Sequence, residues 1–392
     1  MENRIKVIHI AYSLEHGGAE IMMLDLLRGL KRDTFDVSVC SLQSGGSLRN
    51  SFETSGIPIF DIEKMHGKDV ALPVRLHRFF RQEKPDIVHA HNGYMWLYSA
   101  MPSKLAGARI VYTEHSVWDE PSLLYLVGSK VCECITDRII VPSRYVKELL
   151  SEKQHVNVQN IKVVYNGIDL TRIRRKVDAQ SKRRELGLNP NGGIIGIVAR
   201  LVPVKNHKTL IEAMRIVSSR INTCQLLIVG DGELRGSLEE QVAKAGLKEQ
   251  IRFLGNRTDV HEILQILDLF VLSSISEGFP ISILESMAAG VPVIASAVGG
   301  IPEALDQGNA GMLVPSGDSE GLAGGILNLL NNSSQADSYR EAALKCVKKY
   351  FSLEVMVGRY SEIYKCLIKR RDLTCRAKPE VEHCVRHMWR GR

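Results

Sequence analysis

The sequence predicts an α/β fold built from two facing, doubly wound Rossmann-like domains with a cleft between them. Short apolar runs alternate with amphipathic helical patterns in two separate series along the 392 residues. A charged and then Asn/Pro/Gly-rich segment, residues 171–193, separates the two series and is predicted to be a connector. The length also exceeds what one ordinary hydrophobic core covers, which favours two domains.

The first series contains seven runs that are short, apolar and rich in β-branched residues, and these predict strands. They lie at residues 6–11, 36–41, 57–62, 86–91, 109–113, 138–141 and 162–165. Helical patterns lie between them at residues 19–30, 71–82, 95–106 and 144–151. Strands that alternate with helices in this way predict a parallel sheet covered on both faces.

The second series follows the connector and repeats the alternation without repeating the sequence. Its predicted strands are residues 194–199, 225–229, 251–254, 269–272, 293–295 and 312–314. Its predicted helices are residues 208–219, 234–245, 259–267, 281–289 and 319–330, with two more at 335–350 and 352–368. The last helix has apolar residues on one side, which suggests that it crosses back to the first domain.

These observations divide the chain into four parts. We expect an N-terminal Rossmann-like domain at 1–175 and a C-terminal Rossmann-like domain at 176–350. A helix that crosses back occupies 351–370, and a basic tail occupies 371–392.

The formal net charge of +7 is concentrated at the C-terminus. Residues 365–392 hold nine Lys/Arg and three Asp/Glu, so the rest of the chain carries only about +1. A uniformly basic nucleic-acid-binding surface is therefore excluded. The basic tail suits peripheral docking on an anionic membrane, and a solvated tail is the alternative. Because no long apolar run or signal-peptide pattern occurs and the cysteines form no framework, we expect a cytoplasmic protein.

Ligands of open α/β sheets bind at the carboxyl ends of the strands, so the loops there are the candidate sites. After the first strand, Gly17 and Gly18 precede a helix, where a close backbone approach and the helix N-terminus favour a phosphate. His115 follows the fifth strand and can bond a ligand hydroxyl, although a structural histidine is the alternative interpretation. The same alternative applies to His89 and His91, at least one of which is expected only to pack.

The second series offers a stronger charged set. Arg200 and Lys205 follow the strand at 194–199, where two cations suit a diphosphate. Glu277 and Gly278 follow the strand at 269–272, and Glu285 lies on the next helix among apolar neighbours. Two acids at these positions can accept hydrogen bonds from sugar hydroxyls.

The spacing of Glu277 and Glu285 resembles the E-x7-E motif of the retaining GT-B glycosyltransferases, most closely glycosyltransferase family 4. The GGAE turn with Gly18, the ARLVPVKN segment, IVGDGE and NGID resemble the same family in the same order. The resemblance runs from residue 5 to about 370 and is most specific in the second domain. The tail after 370 has no counterpart in the family.

The resemblance implies that the domain at 1–175 is the acceptor side and that the domain at 176–350 binds the nucleotide sugar. It also implies a role for each site residue. Arg200 and Lys205 neutralise the donor diphosphate, Glu285 holds the ribose hydroxyls, and Glu277 holds the hydroxyls of the transferred sugar. The backbone amides of Gly278 and Phe279 meet the sugar or phosphate. Gly18 lets acceptor and diphosphate come close, and His115 lies near the reacting face of the sugar.

The resemblance also implies a hexosyltransferase that retains the anomeric configuration, with a UDP-sugar or GDP-mannose as co-substrate and no cofactor. A glycan or lipid-linked acceptor in cell-surface polysaccharide assembly would place it at the inner membrane face. No metal is expected, because the sequence has no D-x-D motif. Three alternatives remain open: a nucleotide-sugar epimerase, a non-catalytic carbohydrate-binding protein and a nicotinamide dehydrogenase, the last weakened by the missing GxGxxG pattern.

Overall fold

The computed structural model describes residues 4–67, 69–115, 122–173 and 177–369. Its strands form two parallel sheets, one in each half of the chain. The first sheet contains β1 (Ile5–Ala11), β2 (Phe35–Ser41), β3 (Ile59–Asp61), β4 (Ile87–His91), β5 (Arg109–Thr113), β6 (Arg138–Val141) and β7 (Ile161–Val163). The second contains β8 (Ile194–Val198), β9 (Gln225–Val229), β10 (Ile251–Gly255), β11 (Leu269–Leu272), β12 (Val293–Ser296) and β13 (Met312–Val314).

Helices cover both sheets. Those of the first half are α1 (Gly18–Gly29), α2 (Arg49–Glu53), α3 (Leu72–Glu83), α4 (Gly93–Leu105), α5 (Leu123–Ile135), α6 (Arg144–Gln154) and α7 (Leu170–Ile173). Those of the second half are α8 (Ala179–Glu185), α9 (His207–Arg220), α10 (Arg235–Lys244), α11 (Val260–Leu264), α12 (Ile281–Ala288), α13 (Ile301–Ala304), α14 (Ser319–Asn331), α15 (Ser333–Tyr350) and α16 (Leu353–Lys369). Within the described part of the chain, no helix combines the length and apolarity needed to cross a membrane.

The strand order confirms the predicted doubly wound fold. It is β3-β2-β1-β4-β5-β6-β7 in the first sheet and β10-β9-β8-β11-β12-β13 in the second. In each sheet the winding direction reverses beside the first strand, between β1 and β4 and between β8 and β11. A crevice opens at such a reversal, so the loops after β1, β4, β8 and β11 are the natural ligand-binding loops.

Helix α16 belongs to the core of the first domain although it follows the second domain in sequence. It packs against α1. Four of its side chains are buried in the first-domain core: Met356, Tyr360, Tyr364 and Leu367. At about 25 cal/mol per Å² of apolar surface, such side chains stabilise the packing of this helix by several kcal/mol.

The predicted connector is partly helical, which corrects the sequence interpretation. Residues 171–193 include most of α7 and all of α8. The Asp178 side chain caps α8 by accepting from the backbone amides of Gln180 and Ser181. Lys182 is 6% exposed and lies in ion-pairing contact with Asp259 and other carboxylates. The run of charges that indicated an exposed linker therefore contains a lysine that anchors α8 to the second domain.

Candidate active site

The loop after β8 places Arg200 and Lys205 at the carboxyl end of that strand. The turn at 230–232 packs closely against the backbone of this loop. A Cβ added at Gly230 would lie 2.1 Å from the carbonyl oxygen of Ala199. Gly230 also has a φ of +128°, so glycine is required there both by conformation and by space. Arg200 is exposed and Lys205 is half-buried. The IVGDGE motif therefore supports the backbone that carries the two cations.

The loop after β11 joins Glu277 to Lys205. Lys205 Nζ lies 2.5 Å from Glu277 Oε1, and Ser274 Oγ donates to the same oxygen at 2.7 Å. The Glu277 side chain is 8% exposed, so its charge is nearly desolvated and needs these partners. The structure thus brings two of the predicted site residues into one ion pair between β8 and β11.

The backbone of the same loop is held by the first domain. The carbonyl of Gly278 accepts from Ser143 Oγ at 2.9 Å, and the carbonyl of Phe279 accepts from Asn166 Nδ2 at 3.1 Å. The amides of Gly278 and Phe279 donate no hydrogen bond within the described residues. Both amides are therefore available to a ligand, as an anion or a sugar oxygen requires.

Glu285 lies on α12, one turn beyond the start of that helix. Burial raises the pKa of its carboxyl to about 7; the negative charge of Asp25 adds to this and the positive charge of Arg172 opposes it. No described residue hydrogen-bonds the carboxylate side chain. Asp25 on α1 pairs with Arg172 on α7 at 2.7 Å. Glu285, on the second domain, therefore lies near an ion pair of the first half of the chain that the sequence did not reveal.

The turn at Gly18 approaches the same helix from the first domain. A Cβ added at Gly18 would lie 3.7 Å from Ile281 Cδ1, so the start of α1 packs against the start of α12. Burial raises the pKa of Glu20, in the first turn of α1, and the charge of Arg200 partly offsets that rise. The acid of the GGAE motif, to which the sequence assigned no role, therefore lies near a predicted diphosphate ligand.

His115 lies at the domain interface, where its carbonyl oxygen would be 2.7 Å from a Cβ added at Gly278. Its Nε2 lies 2.9 Å from His91 Nδ1, and burial lowers its pKa to about 4, so it is neutral at pH 7. His89 bonds Tyr364 and Thr113 at 2.7 Å each. His89 and His91 are both buried and hydrogen-bonded inside the first domain, as expected of structural histidines. Ser116, the next residue, lies outside the described residues.

Sequence reasoning also missed Glu303 as a link between the domains. Its carboxylate accepts from the amides of Arg144 and Tyr145 at 3.0 and 2.9 Å and from the Tyr165 hydroxyl at 3.1 Å. It therefore caps α6 of the first domain from α13 of the second. The local sequence around Glu303 does not indicate this role, because the helix that it caps lies about 160 residues earlier in the chain.

Two facing parallel-sheet domains with the candidate residues at the cleft define the GT-B class, and the comparison of folds agrees. HepE of Anabaena, solved in complex with UDP-glucose, superposes with a TM-score of 0.83 at 23% identity, covering 93% of this chain and 100% of that one. At 23% identity, this structural similarity establishes the fold alone. The predicted GT-B fold is confirmed.

The sequence comparisons establish the family. The family models for "Glycosyl transferases group 1" and "Glycosyltransferase Family 4" match residues 178–345 and 16–172. An α-1,3-galactosyltransferase of Escherichia coli that acts on GlcNAc-diphosphoundecaprenol is 29% identical, over 76% of this chain and 81% of its own. The lipopolysaccharide core biosynthesis glycosyltransferase LpsE of Rhizobium meliloti is 25% identical, over 92% and 98%. The chain belongs to the GT-B glycosyltransferases of the family 4 type.

Proposed function

We propose that this glycosyltransferase moves a hexose from a nucleotide-diphosphate donor, a UDP-sugar in preference to GDP-mannose, to a lipid-linked or glycan acceptor. The transfer retains the anomeric configuration, needs no metal ion and serves cell-surface polysaccharide assembly. The ion pair of Lys205 with Glu277, beside the unpaired amides of Gly278 and Phe279, is the observation that carries this proposal.

These groups supply what a departing diphosphate and a bound sugar need. Arg200 and Lys205 lie on one loop. The bidentate guanidinium of Arg200 and the compact ammonium of Lys205 together neutralise the negative charge of a diphosphate. The two free amides add fixed dipoles in a partly desolvated site. Glu277 is oriented by Lys205 and Ser274 and keeps a second carboxylate oxygen for a sugar hydroxyl. The names of the relatives support the donor and acceptor classes, since they include a UDP-Gal-dependent enzyme that acts on a diphosphoundecaprenol-linked sugar.

Retention is proposed through front-face attack. The bond between the anomeric carbon and the phosphate oxygen breaks, the acceptor oxygen bonds to the same face, and the acceptor proton passes to the leaving phosphate. Within this scheme the protein contributes leaving-group stabilisation and positioning rather than a covalent nucleophile. Glu277 is engaged by two partners that lower its nucleophilicity, which supports this route over a double displacement.

Nucleotide recognition is tested by thermal unfolding with UDP, GDP and ADP, on the wild type and on Glu285→Gln. A ligand at one hundred times its dissociation constant stabilises the native state by about 2.7 kcal/mol. We expect UDP to raise the Tm of the wild type and to raise that of Glu285→Gln much less. If all three nucleotides leave the wild-type Tm unchanged, the proposed donor class is wrong.

The elevated pKa of Glu285 predicts that UDP binding depends on pH. Ribose hydroxyls donate to the carboxylate, so only the ionised form binds well, and a pKa of about 7 leaves about 3% of it ionised at pH 5.5. We expect UDP affinity, measured by calorimetry, to fall about 30-fold from well above pH 7 to pH 5.5. Glu285→Gln retains the titration of the UDP phosphate, so its profile is the control. Parallel profiles for the two proteins would show that Glu285 does not face the ligand.

A lipid-linked acceptor also requires contact with a membrane, which we propose for a surface of the first domain. Ten of the fourteen large exposed hydrophobic side chains in the described part of the chain lie on α3, α4, α5 or the loop before α3. They are Met65, Val70, Val74, Tyr94, Met101, Leu105, Leu123, Leu124, Val127 and Val131. The three helices pack side by side. We name this set of residues the apolar face.

The charges around the apolar face suit an anionic lipid surface. Exposed cations accompany it at Arg78, Arg81 and Lys104. The two acids of these helices are already paired, Glu83 with Lys6 and Glu133 with Lys130. Apolar side chains with cations beside them are typical of proteins that lie on a membrane. The basic tail that the sequence analysis assigned to this role lies outside the described residues.

Membrane contact is tested by co-sedimentation with vesicles containing phosphatidylglycerol. We expect the double variant Leu123→Ser, Leu124→Ser to lower partitioning at least about tenfold, since each leucine contributes roughly 1.5–3 kcal/mol when buried. Val158→Ser is the control, because Val158 is equally apolar, 46% exposed and outside the apolar face. Equal sedimentation of the double variant and the wild type would contradict the apolar face as the contact.

A further inference from the structure

Four histidines and one tyrosine form a continuous hydrogen-bonded chain through the first domain. His9 Nδ1 lies 2.8 Å from His91 Nε2, and His91 Nδ1 lies 2.9 Å from His115 Nε2. At the other end, the Tyr364 hydroxyl lies 2.7 Å from His89 Nδ1 and 3.4 Å from His9 Nε2. The chain therefore runs from a side chain of α16, through the middle of the sheet, to the cleft.

Burial keeps all four rings neutral at pH 7. It lowers the pKa of His9 to about 3 and that of His115 to about 4, and it lowers the pKa of His89 and His91 well below the usual value. A neutral imidazole has one N–H donor and one lone pair. Each ring must therefore donate on one side and accept on the other, and the direction of one bond decides the direction of the next.

Only two arrangements make every bond and also use the Tyr364 hydroxyl proton, which would be costly to leave unpaired because Tyr364 is fully buried. In one, all four histidines carry the proton on Nδ1, and His115 Nδ1–H is a donor. In the other, all four carry it on Nε2, and His115 Nδ1 is an acceptor. Tyr364 links the two branches in both arrangements, since its hydroxyl donates to one histidine and accepts from the other. His89 completes the chain at Thr113 Oγ1, which can donate or accept.

The open end of the chain is His115 Nδ1. It has no hydrogen-bond partner among the described residues. His115 is half-buried, and its backbone carbonyl lies beside Gly278 at the domain interface. A ligand oxygen that bonds this nitrogen decides the polarity of the whole chain. A phosphate oxygen, which only accepts, selects the arrangement with all four protons on Nδ1.

We propose that His9, His91 and Tyr364 are positioning residues that fix the tautomer His115 presents to the cleft, and that the four histidines always share one tautomer. The part of this inference that concerns the ligand rests on the proposed function, whereas the shared tautomer does not. The chain makes the docking of α16 a condition for the correct state of His115, because Tyr364 is its link to His89.

A metal site is the competing interpretation of the same cluster. Ligand nitrogens of His9, His89 and His91 lie within 4.8 Å of one another. Two nitrogens bound to one tetrahedral zinc at about 2.0–2.1 Å are separated by roughly 3.3 Å. His9 and His91 are closer than that, at 2.8 Å, and both nitrogens of His89 are already bonded. The geometry points to hydrogen bonds rather than to a shared ion.

The inference is tested by long-range ¹H–¹⁵N correlation spectra of the histidine rings, with each signal assigned by a His→Asn variant. We expect one common tautomer signature for His9, His89, His91 and His115 in the free protein, and a shift of all four toward Nδ1–H when UDP is added. His155→Asn is the control, since His155 lies outside the chain in a left-handed conformation that Asn tolerates.

Tyr364→Phe separates positioning from packing, because it keeps the ring and removes only the hydroxyl. We expect His9, His91 and His115 to keep a common tautomer in this variant while His89 becomes independent of them. We expect kcat to fall at least about fivefold with KM for the donor little changed, and Tm to fall no more than for other small core changes. A free protein in which any two of the four histidines hold opposite tautomers, or stoichiometric zinc uptake by the wild type, overturns the inference. A common tautomer without any response to UDP, in a protein whose Tm UDP raises, supports the chain and contradicts the contact between His115 and a phosphate oxygen.

Discussion

Replacement of Lys205 by Met is expected to lower the rate of sugar release from the donor by on the order of 10²–10³-fold, the usual cost of removing one charge-stabilising group. Lys205 lies on the loop after β8, where it faces Glu277 and the cleft. The rate is measured as the UDP released from a UDP-sugar, after thermal unfolding has shown that UDP raises the Tm. Lys208→Met is the matched control, because Lys208 is exposed three residues further on, at the start of α9.

The variant has a second effect that must be separated from the first. Without Lys205, the nearly buried carboxylate of Glu277 loses its counter-ion, which destabilises the fold. The double variant Lys205→Met, Glu277→Gln removes the unpaired charge, so it is expected to recover Tm without recovering rate. A double variant that regains the wild-type rate would show that neither the Lys205 ammonium nor the Glu277 carboxylate acts on the donor.

Replacement of Gly299 by Ala is expected to be the most damaging single change in the second domain. Gly299 has a φ of +58°, and a Cβ there would lie 1.9 Å from the carbonyl oxygen of Glu277. The Glu277 loop must then move, so we expect the free energy of unfolding to fall by on the order of 4 kcal/mol. We also expect UDP to stop raising the Tm. Both effects are measured by chemical and thermal unfolding.

The control for Gly299→Ala is Gly317→Ala. Gly317 has a φ of +79°, and an added Cβ meets nothing within 4 Å. The control therefore isolates the cost of placing Ala in a left-handed conformation, roughly 1–2 kcal/mol. If the two variants lose the same stability, the contact with the Glu277 loop contributes nothing and the assigned cause is wrong.

The parts of the fold that follow from local pattern were predictable. The strands β5, β6, β9, β11 and β13 begin and end at the predicted residues, because continuous apolar runs bounded by polar residues leave little choice. Helices α5 and α8 were missed for opposite reasons. Helix α5 has apolar residues on its exposed side, which hides its periodicity, and α8 consists almost entirely of polar residues. Their positions are decided by tertiary contacts that no short window contains.

The candidate site divides in the same way. Arg200, Lys205, Glu277 and Glu285 were identified because their residue types and spacing carry chemical information. The partners of these residues were not identified, since Glu20 and Asp25 face the second domain from the far half of the chain. Likewise, β1 pairs with β4 in a register that sets His9 opposite His89, and only that register turns scattered histidines into a chain.

The position of α16 governs when the protein becomes complete during synthesis. The core of the first domain includes Tyr360 and Tyr364, which leave the ribosome only after the whole second domain has been made. Until then, the apolar side of α1 that α16 covers is exposed in the nascent first domain. The histidine chain also lacks Tyr364, which links His89 to His9. A truncated polypeptide that stops before α16 cannot form a finished first domain, so an incomplete translation product is a substrate for degradation rather than a partly active enzyme.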